Sequence, residues 1–307
     1  MKRSGKAGVA RKIAWALVTA TAFVLLLSNC GSRETASPRS VDPPVVASAG
    51  DIADCAGEGD EATADLLKDI GGTIITLGDN AYENGSPEDF TSCYDPTWGR
   101  FRARTKPTTG NHEYYTPKAR GYFGYFGKVA GDSEEGYYSY DLGGWHLIAL
   151  NSNCEEVGGC GSDSPQGRWL QNDLADNPSK CTLAYFHYPL FTSGNYRPGI
   201  PEVKPLWSTL YAAGADVVLN GHDHNYQRFA PQDPDGKKDP ERGIREFVVG
   251  TGGGSLYTVD SPIENTQVYN DNTYGVLRLI LRPGGYDWQF LSAQGSSFSD
   301  AGSSTCH

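Results

Sequence analysis

Five short segments between Asp51 and His224 each place an Asp, Asn or His directly after a β-type run or a glycine turn. Strand ends of an α/β sheet deliver such side chains into a common crevice. The segments are Ala49-Gly50-Asp51, Gly78-Asp79-Asn80-Ala81-Tyr82, Gly110-Asn111-His112-Glu113, Phe186-His187 and Gly221-His222-Asp223-His224. Carboxylate, imidazole, amide and phenol groups suit a pair of hard or borderline cations such as iron, manganese or zinc. The pattern therefore predicts two adjacent metal ions.

Short apolar runs alternate with helical patterns along the chain. Buried strands are predicted at Val45–Ala49, Thr73–Leu77, Leu183–Phe186, Asp216–Leu219 and Glu246–Val249, and helices at Glu61–Ile70, Gln166–Ala175 and Val203–Ala213. Hairpins are predicted for Tyr137–Asp141 with Trp145–Asn151 and for Tyr274–Leu281 with Tyr286–Leu291. This mixture indicates a layered α/β domain with a mixed sheet. The Ser-rich tail from Ser296 is predicted to be disordered unless Cys306 fastens it.

The first 30 residues have the pattern of a signal peptide, with a basic start and a 15-residue apolar run, Ile13–Leu27. That run is shorter than the roughly 20 residues of a membrane span. The sequence around Cys30 resembles a bacterial lipobox, although Asn29 departs from the usual small residue. Either lipidation of Cys30 or a plain secretory signal fits. Residues 31–44 are interpreted as a flexible tether. We therefore expect an exported protein, secreted or lipid-anchored on the outer face of a bacterial cytoplasmic membrane.

Charge excludes one class of partner. Residues 1–29 carry five basic and no acidic residues, so their removal changes the formal charge from −11 to −16 in the remaining 278 residues. An acidic protein of this kind lacks the clustered Lys and Arg that bind nucleic acid. A small phosphoester remains possible, because metal ions supply the local positive charge.

The cysteines agree with export. Six remain beyond Cys30, and an even number in an exported chain indicates disulfides. Cys154 and Cys160 bracket a short loop and are predicted to pair. Two further pairs, Cys55–Cys93 and Cys181–Cys306, would complete the set. A thiolate zinc site is disfavoured because no CxxC pair exists.

Taken in order, the five segments resemble those of the metallophosphoesterases, and more narrowly of the purple acid phosphatases, because Tyr82 stands where that group places its metal-bound tyrosine. The resemblance covers roughly Val45 to the last predicted hairpin, and it implies a calcineurin-like metallophosphoesterase catalytic domain over residues 45–307. It implies a four-layer α/β/β/α sandwich of two mixed β-sheets. It also implies two divalent or trivalent metal ions per chain, iron paired with zinc, manganese or a second iron.

The resemblance implies a ligand for each ion. Asp79 would bridge the two cations with one carboxylate oxygen on each. The first ion would be held by Asp51, Tyr82 and His224, and the second by Asn111, His187 and His222. In the resembling group the tyrosine phenolate binds ferric iron and produces the purple colour.

Other residues are assigned to substrate. His112 and Glu113 are expected at the rim of the site. His112 would be the general acid, or a donor to the phosphoryl transition state, or a histidine that orients a ligand. Asn111 and His112 would contact substrate, together with Tyr196, which occupies the place of a histidine in many purple acid phosphatases. Asn195 or Arg197 could also contact a phosphoryl oxygen. Tyr226 and Arg228 are expected to brace the ligand loop.

The sequence thus predicts an exported dinuclear-metal phosphoesterase of the acid phosphatase kind, which hydrolyses phosphomonoesters by attack of a metal-bound hydroxide. A phosphodiesterase or nucleotidase on the same scaffold is one alternative, and Tyr82 argues against it. A cell-surface binding protein without catalysis is another, although no expected ligand is missing from the sequence. No nucleic acid partner is expected, and contact with a membrane only through an N-terminal lipid anchor.

Overall fold

The computed structural model describes residues 42–196 and 198–307. Six strands form a first mixed sheet in the order β13-β12-β11-β1-β2-β3. Its strands are β1 (Val45–Ala49), β2 (Thr73–Thr76), β3 (Thr105–Lys106), β11 (Gly275–Arg282), β12 (Gly285–Ser292) and β13 (Ala301–Thr305). β1, β2 and β3 are parallel, whereas β11 to β13 form an antiparallel meander that pairs with β1.

Seven strands form a second mixed sheet in the order β10-β8-β9-β7-β6-β5-β4. They are β4 (Tyr138–Leu142), β5 (Trp145–Ala149), β6 (Cys181–Tyr185), β7 (Val217–Asn220), β8 (Tyr226–Phe229), β9 (Arg245–Val249) and β10 (Thr266–Asn270). β5, β6, β7 and β9 are parallel, β4 and β8 run antiparallel to them, and β10 pairs with β8 in antiparallel fashion.

Apolar side chains on both faces of the second sheet explain why its strands are continuous hydrophobic runs. In β6, Leu183 and Tyr185 pack against the first sheet, whereas Ala184 packs on the opposite side. Side chains alternate between the two faces of a strand, so a strand covered on both sides must be apolar throughout. The sheets therefore share one core and β6 contributes to a second.

The described residues also form six α-helices. They are α1 (Gly59–Asp69), α2 (Pro87–Asp89), α3 (Asn111–Tyr114), α4 (Arg120–Phe126), α5 (Pro165–Asp176) and α6 (Lys204–Ala212). α1 buries Ala64 and Leu67 in the core shared by the sheets, whereas α5 and α6 bury Leu170, Leu206 and Trp207 in the second. The predicted four-layer α/β/β/α sandwich of two mixed sheets is confirmed.

The cysteines form the three predicted pairs, Cys55–Cys93, Cys154–Cys160 and Cys181–Cys306. The last pair fastens the Ser-rich tail, which is the condition under which the sequence allowed the tail to be ordered. Cys306 lies directly after β13, which pairs with β12 along five residues. A polar, Ser-rich strand is ordered here because a disulfide and a sheet edge hold it.

Residues Asp42–His307 form one compact unit. The predicted signal peptide, Cys30 and most of the predicted tether lie outside the described residues. Within the described part of the chain, no helix is long and apolar enough to cross a membrane.

Candidate metal centre

The candidate ligands lie at the carboxyl ends of strands in both sheets. Asp51 follows β1 and Asp79 follows β2, while His187 follows β6 and His222 follows β7. A backbone hydrogen bond of 2.9 Å from Gly50 N to Val249 O links the two sheets at this edge. The parallel strands therefore deliver these side chains to one crevice, as the sequence predicted.

Three of these residues have left-handed backbone. The φ angles of Asp51, Asp79 and His222 are 60°, 48° and 71°. Such backbone costs a non-glycine residue about 1 kcal/mol or more, and it persists only where surrounding contacts hold it. One such contact is the 2.9 Å hydrogen bond from His222 N to Asp51 Oδ2. Strain concentrated at strand ends is typical of a functional site.

A first set of donor atoms gathers around Tyr82. Its Oη lies 3.1 Å from Asp51 Oδ1, 3.0 Å from His224 Nε2 and 3.4 Å from Asp79 Oδ2. His224 Nε2 is also 3.3 Å from Asp51 Oδ1. All four side chains are buried. Two carboxylates, an imidazole and a phenol thus converge on one point.

A second set gathers around His187. Its Nε2 lies 3.0 Å from Asn111 Oδ1, 3.2 Å from His222 Nδ1 and 3.4 Å from Asp79 Oδ2. Donor atoms of Asp79, His187 and His222 all lie within 4.8 Å of one another. The structure thus brings all seven predicted ligands together in two sets that share Asp79.

The geometry of Asp79 differs from the prediction of one oxygen for each cation. Its Oδ2 faces both sets, whereas Oδ1 accepts a 2.9 Å hydrogen bond from His112 N. The backbone of α3 competes for the second oxygen, which the sequence could not indicate. A single shared oxygen is what Asp79 presents to both sets.

The hydrogen bonds of His187 and His224 to backbone carbonyls indicate which ring nitrogen of each carries a proton. His187 Nδ1 lies 2.8 Å from Leu77 O and His224 Nδ1 lies 2.7 Å from Ser255 O. A carbonyl oxygen only accepts, so each Nδ1 carries a proton and a neutral ring presents a lone pair at Nε2. Those lone pairs point at carboxylate and amide oxygens. Imidazoles oriented by a backbone carbonyl in this way are typical metal ligands, and the donor set fits two cations.

The pKa values of His187, His222 and Tyr82 are shifted by the crowding of these donor atoms. Burial would lower the pKa of His187, but the effect of the Asp79 carboxylate is larger and raises the pKa of His187 to about 9. Burial and the His187 charge lower the pKa of His222 to about 3. Burial and the carboxylates of Asp51 and Asp79 raise the pKa of Tyr82 well above 10. A proton therefore stabilises the cluster where a cation is absent, and a phenolate at Tyr82 requires a cation.

Glu113 is not at the rim, contrary to the prediction. It is fully buried, and its carboxylate accepts hydrogen bonds from Asp79 N at 3.0 Å, Asn80 N at 2.7 Å and Gly110 N at 2.6 Å. Burial and the Asp79 charge raise its pKa to about 7. Glu113 thus fixes the turn that carries Asp79. The Gly110-to-Glu113 spacing, typical of a helix N-terminus, was the available signal.

The loop after β9 supplies residues that the sequence did not reveal. The Tyr257 ring stacks on His224 with centroids 4.0 Å apart. Gly254 fits beside the site because a Cβ there would lie 3.0 Å from His224 and 3.2 Å from Tyr82. The absence of a side chain at Gly254 lets the backbone pass close to His224 and Tyr82. Tyr257 carried no signal, because it lies 33 residues beyond His224 in the chain.

The predicted substrate residues lie around the donor sets. His112 Nδ1 lies 2.6 Å from Glu83 O, and Nε2 lies 3.8 Å from Asp79 Oδ2. Tyr196 packs over His222 with ring centroids 3.9 Å apart. Arg197 lies outside the described residues.

Tyr226 and Arg228 do not brace the ligand loop, contrary to the prediction. Both hydrogen-bond Asp300, at 2.7 Å each. They fasten the segment before β13. Asp223 braces the ligand loop instead: it accepts hydrogen bonds from Thr192 Oγ1 and from Asn195 N, the latter at 2.9 Å.

A cleft of about 530 Å³ opens from Asn111 and His222. A larger groove of about 800 Å³ lies between α5 and α6. The residues that line this groove include no acid, base or histidine, so the smaller cleft is the candidate substrate site.

Comparisons with known proteins agree with this geometry. A family model described as calcineurin-like phosphoesterase matches residues 41–226, more than half of the chain. Purple acid phosphatase 15 of Arabidopsis thaliana is 29% identical over 191 residues, which cover 50% of this chain and 35% of that relative. The chain thus spans about a third of the length of this relative.

Two solved structures share the fold. The purple acid phosphatase PPD1 from yellow lupin (Lupinus luteus) seeds has a TM-score of 0.66 and 18% identity, covering 88% of this chain and 55% of that one. GAP50, the anchor in the inner membrane complex of Plasmodium, has a TM-score of 0.62 and 14% identity, covering 85% and 88%. At these identities the likeness concerns the fold.

Proposed function

The chain belongs to the calcineurin-like phosphoesterase family, and on that basis we propose that it is an exported dinuclear-metal phosphoesterase that hydrolyses phosphomonoesters. The observation that carries the proposal is the convergence of imidazole nitrogens, carboxylate oxygens, an amide oxygen and a phenol at mutual distances of 3.0–3.4 Å in two sets that share Asp79 Oδ2. Two cations at these places would satisfy all of these donor atoms together.

In this proposal Asp51, Tyr82 and His224 hold one ion, Asn111, His187 and His222 hold the other, and Asp79 bridges them. Two cations at these positions would polarise a phosphoryl oxygen and lower the pKa of a bound water. The resemblance to the purple acid phosphatases, some of which match this chain, implies that iron is paired with zinc, manganese or a second iron.

The chain's own residues orient the substrate. Glu83 O fixes the proton of the His112 ring at Nδ1, so Nε2 faces the site and can carry a second proton to a departing alkoxide. The amide of Asn111 is held by His187 on one side and by Tyr115 Oη, 3.3 Å from its Nδ2, on the other. Tyr196 lies over His222 at the mouth of the cleft, where its hydroxyl can contact a phosphoryl oxygen.

Export is supported by three disulfides, which are typical of proteins that fold in an oxidising compartment. The N-terminal sequence supports it as well. Whether Cys30 carries a lipid is tested by mass determination of the membrane fraction.

The first test is metal content, visible spectrum and hydrolysis of 4-nitrophenyl phosphate against its bis-ester. We expect two metals per chain and faster hydrolysis of the monoester. A charge-transfer band that disappears in Tyr82→Phe and persists in Tyr269→Phe, an exposed tyrosine on β10, would support Tyr82 on ferric iron. Faster hydrolysis of the bis-ester would contradict the monoesterase, and a metal-loaded protein without either activity would contradict the enzyme.

A further inference from the structure

The cleft beside the candidate metal centre has aromatic walls. Tyr115 and Tyr196 are 60% and 42% exposed, so their faces are open to a ligand. Tyr115 packs on His112 with centroids 4.7 Å apart, and Tyr188 meets His222 edge-on at 4.5 Å. These three rings therefore lead directly outward from the residues that would contact the phosphoryl group.

The outer part of the cleft is acidic. Glu155 lies on a single turn, Cys154–Val157, which the Cys154–Cys160 disulfide closes. Cys154 Sγ lies 3.8 Å from Glu202 O, which places the second carboxylate-bearing residue beside the same turn. Both residues line the cleft. A disulfide-closed turn holds this acidic wall in a fixed position relative to the rings.

The two carboxylates lack a cationic partner within the described residues. Neither Glu155 nor Glu202 forms an ion pair there, and the described lining of the cleft contains no Lys or Arg. Glu156 also lines the cleft, but it borders a second, smaller cavity together with Lys118. Glu155 and Glu202 therefore carry the argument.

The group that fits aromatic faces next to two carboxylates that form no ion pair within the described residues is a small organic cation. Ammonium groups are attracted to the faces of tyrosine rings by the ring quadrupole, and carboxylates add a direct charge interaction. A second phosphate in the same place would be repelled by the same carboxylates. The phosphoryl group itself is not affected in this way, because it would lie on the two cations.

We propose that the preferred substrates are phosphomonoesters whose leaving group carries one positive charge, that is, phosphorylated amino alcohols of the primary or quaternary ammonium kind. The inference rests on the proposed phosphomonoesterase and specifies its substrate class. The cation lies among Tyr115, Tyr188 and Tyr196, near Glu155 and Glu202.

The test compares two substrates of the same shape that differ in one charge. Phosphocholine and 3,3-dimethylbutyl phosphate are hydrolysed by the metal-loaded protein at a pH where both phosphates are in the same ionisation state. We expect kcat/KM to be about tenfold higher for phosphocholine at low salt, the scale of one cation–π contact with a nearby carboxylate. The ratio should fall at high salt, because exposed carboxylates are screened.

Two variants test whether Glu155 and Glu202 cause the preference for a cationic leaving group. In Glu155→Gln/Glu202→Gln the ratio of the two kcat/KM values should fall toward one. The matched control is Glu241→Gln, an exposed glutamate in the loop before β9 that does not line the cleft, and it should leave the ratio unchanged.

Each result decides the question. Equal kcat/KM values for the two substrates, or faster hydrolysis of an ester whose leaving group carries a second phosphate, would overturn the inference and leave the phosphomonoesterase intact. A ratio that persists in the double variant would overturn the assignment to Glu155 and Glu202. A protein with two bound metals that hydrolyses no phosphomonoester, 4-nitrophenyl phosphate included, would overturn the proposed function together with this inference.

Discussion

Two histidine–carboxylate clusters in this protein differ in how their charges are balanced. On β5, His146 has a carboxylate at each ring nitrogen, Asp141 at 2.9 Å and Asp173 at 2.8 Å. At the candidate metal centre, His187 and His224 each give one nitrogen to a backbone carbonyl and turn the other toward acceptors. A protonated ring completes the first cluster from within the chain.

The difference shows that a metal site can be identified from an excess of acceptor atoms over donors. A buried polar group is stable when a donor meets every acceptor. The His146 cluster satisfies that rule with a charged imidazole. The cluster around Asp79 does not, because several lone pairs share one point. A proton on His187 stabilises its contact with Asp79, whereas two cations would satisfy all of the lone pairs together. The comparison therefore predicts that the two clusters respond differently to substitution, chelation and pH.

The largest expected effect is at Asp79. In Asp79→Asn the shared oxygen loses its charge while the left-handed backbone remains acceptable to Asn. We expect activity on 4-nitrophenyl phosphate to fall about a thousandfold, since the loss of several kcal/mol of charge stabilisation has that size. The matched control is Asp65→Asn, a half-exposed carboxylate on α1 that pairs with Lys68. Activity within tenfold of the unsubstituted protein, at normal metal content, would contradict the bridging role.

Chelation should destabilise the metal centre and leave the His146 cluster unaffected. An ion present at a hundred times its Kd contributes about 2.7 kcal/mol to the free energy of unfolding. We expect chelator to lower the unfolding free energy by at least this amount, and by the same amount in His146→Gln, because separate clusters add. Denaturant unfolding with and without chelator measures both. Equal stability with and without chelator would show that the centre binds no ion tightly.

His146→Gln should destabilise the protein by about 2 kcal/mol at pH 6, because it leaves the largely buried carboxylate of Asp173 without a cation. Burial lowers the pKa of His146, but Asp173 and Asp141 outweigh it and the net shift is upward. A raised folded-state pKa contributes stability that is complete below the unfolded pKa of about 6.5 and is lost as pH rises through the folded value. The difference between the two proteins should therefore shrink toward pH 9.

Two observations would contradict this interpretation of His146. One is a stability difference that stays constant from pH 6 to pH 9, which would indicate packing without a charge. The other is a change in kcat, since His146 lies outside the candidate site. Asp141→Asn is the milder control, because Asp141 is 76% exposed and an exposed pair contributes about 1 kcal/mol or less.

The smallest expected effect extends the comparison to a third case, a buried carboxyl without cation or histidine. Glu246 on β9 is fully buried, and its Oε2 has no partner. Burial raises its pKa to about 8, so it holds its own proton. Its contribution is complete below the unfolded pKa of about 4.5 and is lost as pH rises through 8. Between pH 5 and pH 6, Glu246→Gln should therefore gain about 1 kcal/mol relative to the parent protein.

Urea unfolding of the two proteins across that pH range measures the gain. A pH-independent difference would mean that Glu246 is ionised in the folded protein.

Strand and helix positions were predictable because they depend on local patterns. β1 was predicted with its observed bounds, and α1, α5 and α6 within about two residues at each end. The predicted hairpins form around Gly143-Gly144 and around Pro283-Gly284. Continuous apolar runs bounded by glycine identify strands covered on both faces. β13 was not predictable, because a Ser-rich segment becomes a strand only when an edge and a disulfide are supplied by distant parts of the chain.

The residue types of the site were also predictable, whereas their orientation was not. Asp79, His187 and His224 were predictable as metal ligands because each comes after a strand or a glycine turn. The turn of Asp79 Oδ1 toward α3 has no local cause. Glu113 carried a local signal in its spacing from Gly110, but its bonds to Asp79 N and Asn80 N depend on the fold. Tyr257 reaches His224 only because the loop after β9 passes over the site.

The sequence by itself determined which donor atoms this protein offers and that strand ends would carry them, because alternation, glycine and residue chemistry are local properties. The tertiary structure decided which oxygen of Asp79 is shared, which nitrogen of each histidine is free, and what lines the cleft. Those features depend on hydrogen bonds between residues far apart in the chain, such as Asp79 to His112 N and His187 to Leu77 O. Such bonds exist only once both sheets have packed together.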